Sequence, residues 1–169
     1  MEKGGGKNHV SPFETIVFFI NIKYYKFIMI FLSTFSTSID AKCRLVVPKD
    51  FRSVLNQMNM FVAFRSHKTS AIDCFTMNKM QILSEKIEQD LDIFSSKRDS
   101  IESAVFADAV VLKFDKNGRF VLPTSLIEHS KIEKKALFVG RGASFQIWNE
   151  DDFKKHQKQA REQLLMKNE

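Results

Sequence analysis

Short blocks of apolar residues alternate with polar turns along this chain, and the blocks recur in the same order 75 residues later. In each copy a β-prone segment runs into a polar stretch, and an apolar triplet follows. That order predicts a strand, a turn and a second strand. The first strands are Phe35–Ile39 and Ala109–Phe114, and the second strands are Leu45–Val47 and Phe120–Leu122.

One motif carries the recurrence most clearly. DAKCRLVVP at residues 40–48 aligns with DKNGRFVLP at residues 115–123, so both copies read Asp, three residues, Arg, three apolar residues and Pro. Asp and Asn bond their own backbone and Gly118 permits a positive φ, so each segment predicts a strand–turn–strand hairpin. Pro48 and Pro123 suit the first turn of a following helix.

The similarity between the copies continues for several more elements. Each Pro is followed by a short helix, two strands and a longer helix. The elements are Asp50–Leu55 and Thr124–His129, Met60–Arg65 and Ala136–Arg141, Ala71–Met77 and Ser144–Trp148, and finally Asn78–Phe94 and Asn149 to about Met166. Agreement over this many elements indicates an internal repeat, with two copies of one βαβ-like or hairpin-rich unit. We expect a first repeat at residues 29–98 and a second at residues 99–169.

The longer helix of the first repeat has one apolar face. Its members are spaced by three and four residues, which predicts packing in a core or an interface. They are Met80, Leu83, Ile87, Leu91 and Phe94. Ser95–Asp99 is then a polar break between the copies, and a short helix containing Ile101, Ala104 and Val105 precedes the next strand.

The first 28 residues do not match the rest of the chain. Residues 13–32 are apolar enough to suggest a membrane segment, but Glu14, Lys23 and Lys26 interrupt them, and a spanning helix needs about 20 residues with few charges. A membrane tether is therefore the weaker interpretation. We favour translation from Met29, with residues 1–28 as an in-frame upstream extension.

Composition limits the possible classes of protein without selecting one. The 169 residues include 26 Lys and Arg against 20 Asp and Glu, a net charge of +6, and 44% are hydrophobic. These values argue against wholesale disorder and against a polytopic membrane protein. Two cysteines suit a reducing cytosol with free thiols. The mild positive charge is compatible with nucleic acid, an acidic protein or a lipid surface.

No catalytic or metal-binding pattern accompanies the repeat. The four histidines and two cysteines have no metal-ligand spacing, and neither a phosphate-binding loop nor a nucleophile elbow is present. We therefore expect no enzyme activity, no cofactor, no metal and no small-molecule substrate.

The doubled motif resembles the MraZ family of bacterial transcriptional regulators. Further fragments resemble the same family, namely SIDAK at residues 38–42, VGRG at residues 139–142 and FQIW at residues 145–148. The resemblance covers roughly residues 31–148. Family members begin a few residues before the first strand, which agrees with a start at Met29.

The resemblance implies a fold and a function. The fold would be a tandem duplicated AbrB-like swapped-hairpin β-barrel, with helices following each half. The protein would form a ring-shaped homo-oligomer and bind repeated promoter boxes in double-stranded DNA. It would act as a repressor of the division and cell-wall gene cluster, in the cytoplasm and associated with the nucleoid.

The basic turns suit this role. Lys42 and Arg44 lie in the first turn, and Lys116 and Arg119 in the second. Lys offers a point charge to phosphate, and Arg can also contact guanine through two hydrogen bonds. These four residues are the candidate DNA-binding residues.

Other motif positions would shape the turns. Asp40 and Asp115 would hold the turn and orient the Arg, because a carboxylate repels phosphate. Gly118, Pro48 and Pro123 complete the turn-structuring set.

One position departs from the family pattern. Cys43 stands where the family usually has Gly and where the second copy has Gly118. A positive φ at Cys43 would cost about 1 kcal/mol. A reactive thiol beside Lys42 and Arg44 is an alternative to an incidental substitution.

A different function within the same fold class stays open. An antitoxin-like swapped-hairpin protein would bind DNA and neutralise a partner protein. Such proteins are generally single-copy and carry an added tail, so the internal repeat argues against this alternative.

Overall fold

Eight strands and five helices follow one another in the part of the chain described by this computed structural model, residues 30–55 and 58–166. The strands are β1 (Thr34–Ser38), β2 (Arg44–Val46), β3 (Met60–Arg65), β4 (Ile72–Phe75), β5 (Val110–Lys113), β6 (Arg119–Val121), β7 (Lys135–Gly140) and β8 (Phe145–Asn149). The helices are α1 (Lys49–Leu55), α2 (Met77–Asp90), α3 (Ser96–Ile101), α4 (Thr124–Ser130) and α5 (Glu150–Met166), and a π-helical turn covers Glu102–Phe106. The predicted extension at residues 1–28 and the predicted start at Met29 lie outside the described residues.

The strands form one six-stranded antiparallel sheet and one separate two-stranded ribbon. The sheet order is β1-β7-β8-β4-β3-β5, and the ribbon pairs β2 with β6. The predicted α+β class is confirmed. The prediction of a barrel is wrong in one respect, because within the described residues the sheet is open, with β1 at one edge and β5 at the other.

The turns form where they were predicted, but the predicted local hairpins do not. Two backbone bonds close each turn. In the first turn Asp40 N–H donates to Arg44 O (3.1 Å) and Cys43 N–H donates to Asp40 O (2.9 Å), and in the second turn Asp115 N–H donates to Arg119 O (3.0 Å) and Gly118 N–H donates to Asp115 O (2.8 Å). Beyond the turns the strands separate: β1 pairs with β7, β5 with β3 and β2 with β6. Apolar alternation determines which face of a strand is buried but not which strand lies beside it.

The main core lies between the six-stranded sheet and the ribbon. Phenylalanine rings from several elements meet there, and the Phe51 and Phe61 rings each lie 5.2 Å from the Phe145 ring. Leu45 of β2 and Phe120 of β6 point into the same core and are 0% and 3% exposed. Burying each such side chain contributes about 1.5–3 kcal/mol, which fixes the ribbon on the sheet.

The other face of the sheet carries two smaller clusters. Phe153 of α5 packs with Leu137 and Trp148 in one, and Met80 of α2 packs with Val62 and Phe64 in the other. The two longer helices therefore lie on the same face of the sheet, over different strands.

Gly140 of the VGRG fragment has a packing reason, whereas Gly142 has open space around it and a positive φ of 73°. Phe31 and Gly142 exchange two backbone hydrogen bonds, of 2.7 and 3.1 Å. A Cβ on Gly140 would lie 2.4 Å from the carbonyl oxygen of Phe31. A side chain at position 140 would therefore push this segment away from the β7–β8 hairpin.

Helix α2 begins near its predicted start but ends earlier than predicted. The Thr76 hydroxyl accepts a bond from Lys79 N–H (3.1 Å) at its start, and the helix stops at Asp90. The Asp92 carboxylate accepts a bond from Phe94 N–H (2.8 Å), which offers the backbone an alternative to the helix. Phe94 is consequently 93% exposed, and its predicted place on the apolar face is wrong.

The segment after α2 also differs from the expectation. Ser95–Asp99 is not a break, because α3 begins at Ser96. The real break is the turn at residues 91–95. The predicted short helix around Ile101–Val105 is confirmed, as the end of α3 and the π-helical turn.

Candidate nucleic-acid interface

The ribbon formed by β2 and β6 presents a basic face to solvent. Its register pairs Arg44 with Val121 and Val46 with Arg119, with the buried Leu45–Phe120 pair between them. Because side chains alternate between faces, the two arginines and two valines share the outward face. All four are exposed. Arg44 and Arg119 are diagonal neighbours in this register, a spacing across which long side chains can still reach each other.

The first turn is organised by Asp40. Its carboxylate accepts bonds from Lys42 N–H (2.9 Å) and Arg44 N–H (3.0 Å), and from Arg44 Nε (2.7 Å). The backbone bond from Arg44, followed by its side-chain bond, lowers the pKa of Asp40. The carboxylate therefore stays ionised at neutral pH and holds the Arg44 guanidinium.

The second turn repeats the backbone pattern with a different arginine arrangement. The Asp115 carboxylate accepts bonds from Asn117 N–H (2.8 Å) and Arg119 N–H (2.9 Å). The backbone bond from Arg119 is the main cause of the lowered pKa of Asp115. Unlike Arg44, Arg119 makes no ion pair with any described residue.

Reciprocal backbone bonds connect the two turns to the ribbon. Val47 N–H donates to Gly118 O (2.9 Å), and Leu122 N–H donates to Cys43 O (2.8 Å). Cys43 and Gly118 occupy the same place in each turn and both have positive φ, 57° and 83°. Each turn is thus held by the other half of the chain.

Arg52 of α1 distinguishes the two turns, and sequence analysis did not single it out. Its guanidinium donates to Lys116 O at 3.3 Å, and its Nε is buried without a hydrogen-bond partner among the described residues. The equivalent position 75 residues later is Ile127. The sequence did contain a signal for this difference: the helix after Pro48 has an arginine at a position where the helix after Pro123 has an isoleucine. Arg52 supports only the second turn.

The remaining candidate residues flank the ribbon. Lys42 and Lys116 are exposed in the turns. Pro48 directly precedes α1, and Pro123 stands at the N-cap of α4 with φ −58°. The four candidate cations thus lie in the turns or at the starts of two paired strands.

The described residues offer little support for a metal site or a membrane-spanning helix. No group of three or more His, Cys, Asp or Glu residues there could hold a metal ion. Within the same ranges, no helix has the length and apolarity needed to cross a membrane. Cys43 and Cys74 are both free thiols, as predicted.

Comparisons with known proteins give consistent results. A family model described as "MraZ protein, putative antitoxin-like" matches residues 105–169. The chain is 39% identical over 133 residues to "Transcriptional regulator MraZ" of Rickettsia akari (strain Hartford), covering 78% of this chain and 89% of that relative. Its identity to the protein of the same name from Rickettsia canadensis (strain McKiel) is 38% over 129 residues, covering 75% and 86%.

Proposed function

The chain belongs to the MraZ family, and on that premise we propose that it regulates transcription by binding double-stranded DNA through the β2–β6 ribbon. The observation that carries the proposal is the pair Arg44 and Arg119 on the outward face of that ribbon. A two-stranded ribbon fits the major groove, where an arginine can bond guanine O6 and N7 together. The relatives' name describes transcriptional regulators.

Each candidate residue has a distinct part in this proposal. Arg44 and Arg119 contact bases or phosphates from the ribbon face. Lys42, two residues before Arg44, and Lys116, three residues before Arg119, contact phosphates and make binding sensitive to salt. Asp40 and Asp115 stay off the DNA and keep the turns in shape through the backbone bonds described above.

The strand exchange supports a tandem duplication. We assign the first repeat to residues 29–98 and the second to residues 99–169, each an AbrB-like swapped-hairpin unit. The pairs β1–β7 and β3–β5 each join one strand from either repeat, and β2–β6 does the same in the ribbon. The sheet order consequently reads the same from both edges once the repeats are interchanged.

A single chain offers few phosphate contacts, so useful affinity calls for several chains on adjacent sites. We propose a ring-shaped homo-oligomer whose ribbons engage repeated promoter boxes, with repression of the division and cell-wall gene cluster as the outcome. Linking several weak contacts raises the effective concentration of each next contact. Such a protein would act in the cytoplasm at the nucleoid.

A second candidate function follows from the family description, which includes "antitoxin-like". The chain would then bind a partner protein as well as DNA. Purification from its own cells separates the two: the antitoxin function predicts a second polypeptide in fixed proportion, and the regulator function predicts this chain alone.

Binding of the protein to the DNA upstream of its own gene tests the main proposal. Arg44→Ala and Arg119→Ala should each weaken binding by about 5- to 150-fold, the equivalent of about 1–3 kcal/mol per lost base contact. Arg141→Ala is the matched control. Arg141 is exposed and comes directly after β7, next to the start of β1. The first turn comes after the other end of β1, so Arg141 lies away from it.

The outcome that would contradict the proposal is wild-type binding by the double variant Arg44→Ala/Arg119→Ala. Equal losses in the double variant and in Arg141→Ala would also count against the ribbon, because they would indicate a diffuse charge effect.

A further inference from the structure

The turn between α2 and α3 exposes two large apolar side chains side by side. Ile93 is 69% exposed and Phe94 is 93% exposed. The turn is well ordered by its own bonds, because the Asp92 carboxylate accepts from Phe94 N–H and the Asp92 carbonyl accepts from Ser95 N–H (3.0 Å). Adjacent aromatic and aliphatic side chains on a fixed turn are typical anchors of a protein interface.

The surface around this turn is acidic. Residues 84–95 hold four carboxylates and one lysine, a net charge of −3. Glu88 and Asp90 are exposed and form no ion pair with any described residue. We call Glu88, Asp90, Ile93 and Phe94 the acidic tip.

The end of α5 has the opposite character. Residues 157–166 are exposed throughout, over about 15 Å of helix. Lys158, Arg161 and Leu165 follow one another at spacings of three and four, so they share one side of the helix. Leu165 and Met166 are 72% and 76% exposed. We call Lys158, Arg161, Leu165 and Met166 the basic tail.

The charges of the tail are poorly neutralised within the chain. Residues 154–166 hold four cations and one carboxylate, a net charge of +3. Lys154 pairs with Glu150 at 2.9 Å, and Lys158 lies 4.0 Å from Glu162. Arg161 has no ion partner in the part of the chain that the structure describes. The tail and the tip are therefore opposite in sign, equal in size of charge and alike in exposing two large apolar side chains.

We propose that the basic tail of one chain docks on the acidic tip of a second copy of the same chain. In the docked pair, Leu165 and Met166 cover Ile93 and Phe94, while Lys158 and Arg161 face Glu88 and Asp90. This assignment rests on the self-association included in the proposed function and specifies which surfaces produce it.

Because the tip and the tail are different surfaces, the contact is head-to-tail. Each chain keeps a free tip or tail after one contact, so the contact can repeat from chain to chain. Such a contact builds a ring where the rotation between neighbours closes and a filament where it does not. A two-fold dimer would instead bury the same patch on both chains. The proposed contact therefore suits the ring of the proposed function and not a two-fold dimer.

The full chain's mass in solution at micromolar concentration, measured by light scattering, tests the assignment. Phe94→Lys and the double variant Lys158→Glu/Arg161→Glu should each shift the mass to that of the single chain. The concentration of half-dissociation should rise about thirtyfold or more, as expected for loss of an interface anchor. Both sites are exposed, so the variants should fold normally.

Mixing the two deficient variants gives a sharper readout. Phe94→Lys retains its tail and Lys158→Glu/Arg161→Glu retains its tip, so a mixture should form a 1:1 dimer and stop there. Adding Glu88→Lys/Asp90→Lys to the tail variant should restore the oligomer, because both signs are then reversed. Glu133→Lys, an exposed charge reversal in the turn after α4, is the control and should keep the wild-type mass.

Three results would overturn the assignment. Wild-type mass for both deficient variants would show that other surfaces hold the oligomer, and it would leave the DNA proposal intact. A monomeric wild-type chain would remove this assignment and the ring together. If the tail variant kept the wild-type mass but bound DNA more weakly, the basic tail would contact DNA and not a second chain.

Discussion

At the scale of single residues, the two turns differ in the type of residue at one equivalent position, which is Cys43 in the first turn and Gly118 in the second. Cys43 and Gly118 both adopt positive φ, which glycine tolerates and a side chain with a Cβ resists. A Cβ at position 118 would also lie 2.9 Å from Arg52 Cδ and 3.1 Å from Val47 O. The first turn thus carries a strain that the second turn avoids.

Exchanging the residue types should change stability in opposite directions. Cys43→Gly should raise the free energy of unfolding by about 0.5–1 kcal/mol, because the relief of strain outweighs the greater freedom of the unfolded chain. Gly118→Ala should lower it by about 1–2 kcal/mol. Chemical denaturation of both variants measures the two values, and changes of the same sign would disprove this account.

Much of the turn could be predicted from the sequence, but the positions of the arginine side chains could not. The Asp, Gly and Pro positions indicate the turn because each has a known local preference. Whether a guanidinium folds back on its own Asp, as Arg44 does and Arg119 does not, depends on contacts with other elements. Arg52 donates to Lys116 O in the second turn, which lies 64 residues further along the chain. A contact over that separation cannot be predicted from a local sequence pattern.

At the scale of elements, the strands and their buried faces follow from apolar alternation, while their partners do not. β1 and β2 were expected to pair with each other because a turn joins them. Instead β1 pairs with β7 and β2 pairs with β6. The observed strand pairing brings Leu45, Phe120 and the phenylalanine cluster into one core, and that burial favours it over local hairpins.

The junction of β3 and β5 depends on one ion pair. Asp108 accepts bonds from Arg65 N–H and Nε (both 2.8 Å) just beyond the last paired residues of the two strands. The Asp108 side chain is 16% exposed and that of Arg65 is 53% exposed. The side-chain bond from Arg65 is the main cause of the lowered pKa of Asp108, and His129 has a smaller effect.

Removing this carboxylate charge should destabilise the protein in a pH-dependent way. Asp108→Asn should lower the free energy of unfolding by about 1–2 kcal/mol at neutral pH, since bonds to a charged group are lost. The folded pKa lies below the unfolded one, so the carboxylate's contribution is complete above about pH 4 and disappears as pH falls through the folded pKa. The difference between wild type and variant should therefore shrink in acid.

Denaturation at several pH values provides the measurement. Asp99→Asn is the matched control, because Asp99 is exposed and forms no ion pair with a described residue. A difference for Asp108→Asn that does not change between neutral and acidic pH would contradict the assigned role.

At the scale of the whole molecule, the two halves are interdependent. The edge strand β1 pairs with β7, the edge strand β5 pairs with β3, and the ribbon pairs β2 with β6, so each of these pairs joins a strand before residue 99 to a strand after it. Residues 29–98 expressed alone should therefore not form a stable monomer, and should pair with a second copy that supplies the missing strands. A folded monomer of this fragment, seen by mass and circular dichroism, would argue against strand exchange between the repeats.

The central claim is that paired arginines on the ribbon hold DNA, and the salt dependence of affinity tests it most directly. The measurement is the affinity of wild type and of Arg44→Ala/Arg119→Ala for the protein's own upstream DNA, across a series of salt concentrations. If each arginine touches a phosphate, the slope of log affinity against log salt should fall by about 1 per arginine in each chain. Should the arginines contact bases alone, affinity should drop at every salt concentration with little change in slope. Identical affinity and identical slope for the two proteins would contradict the account.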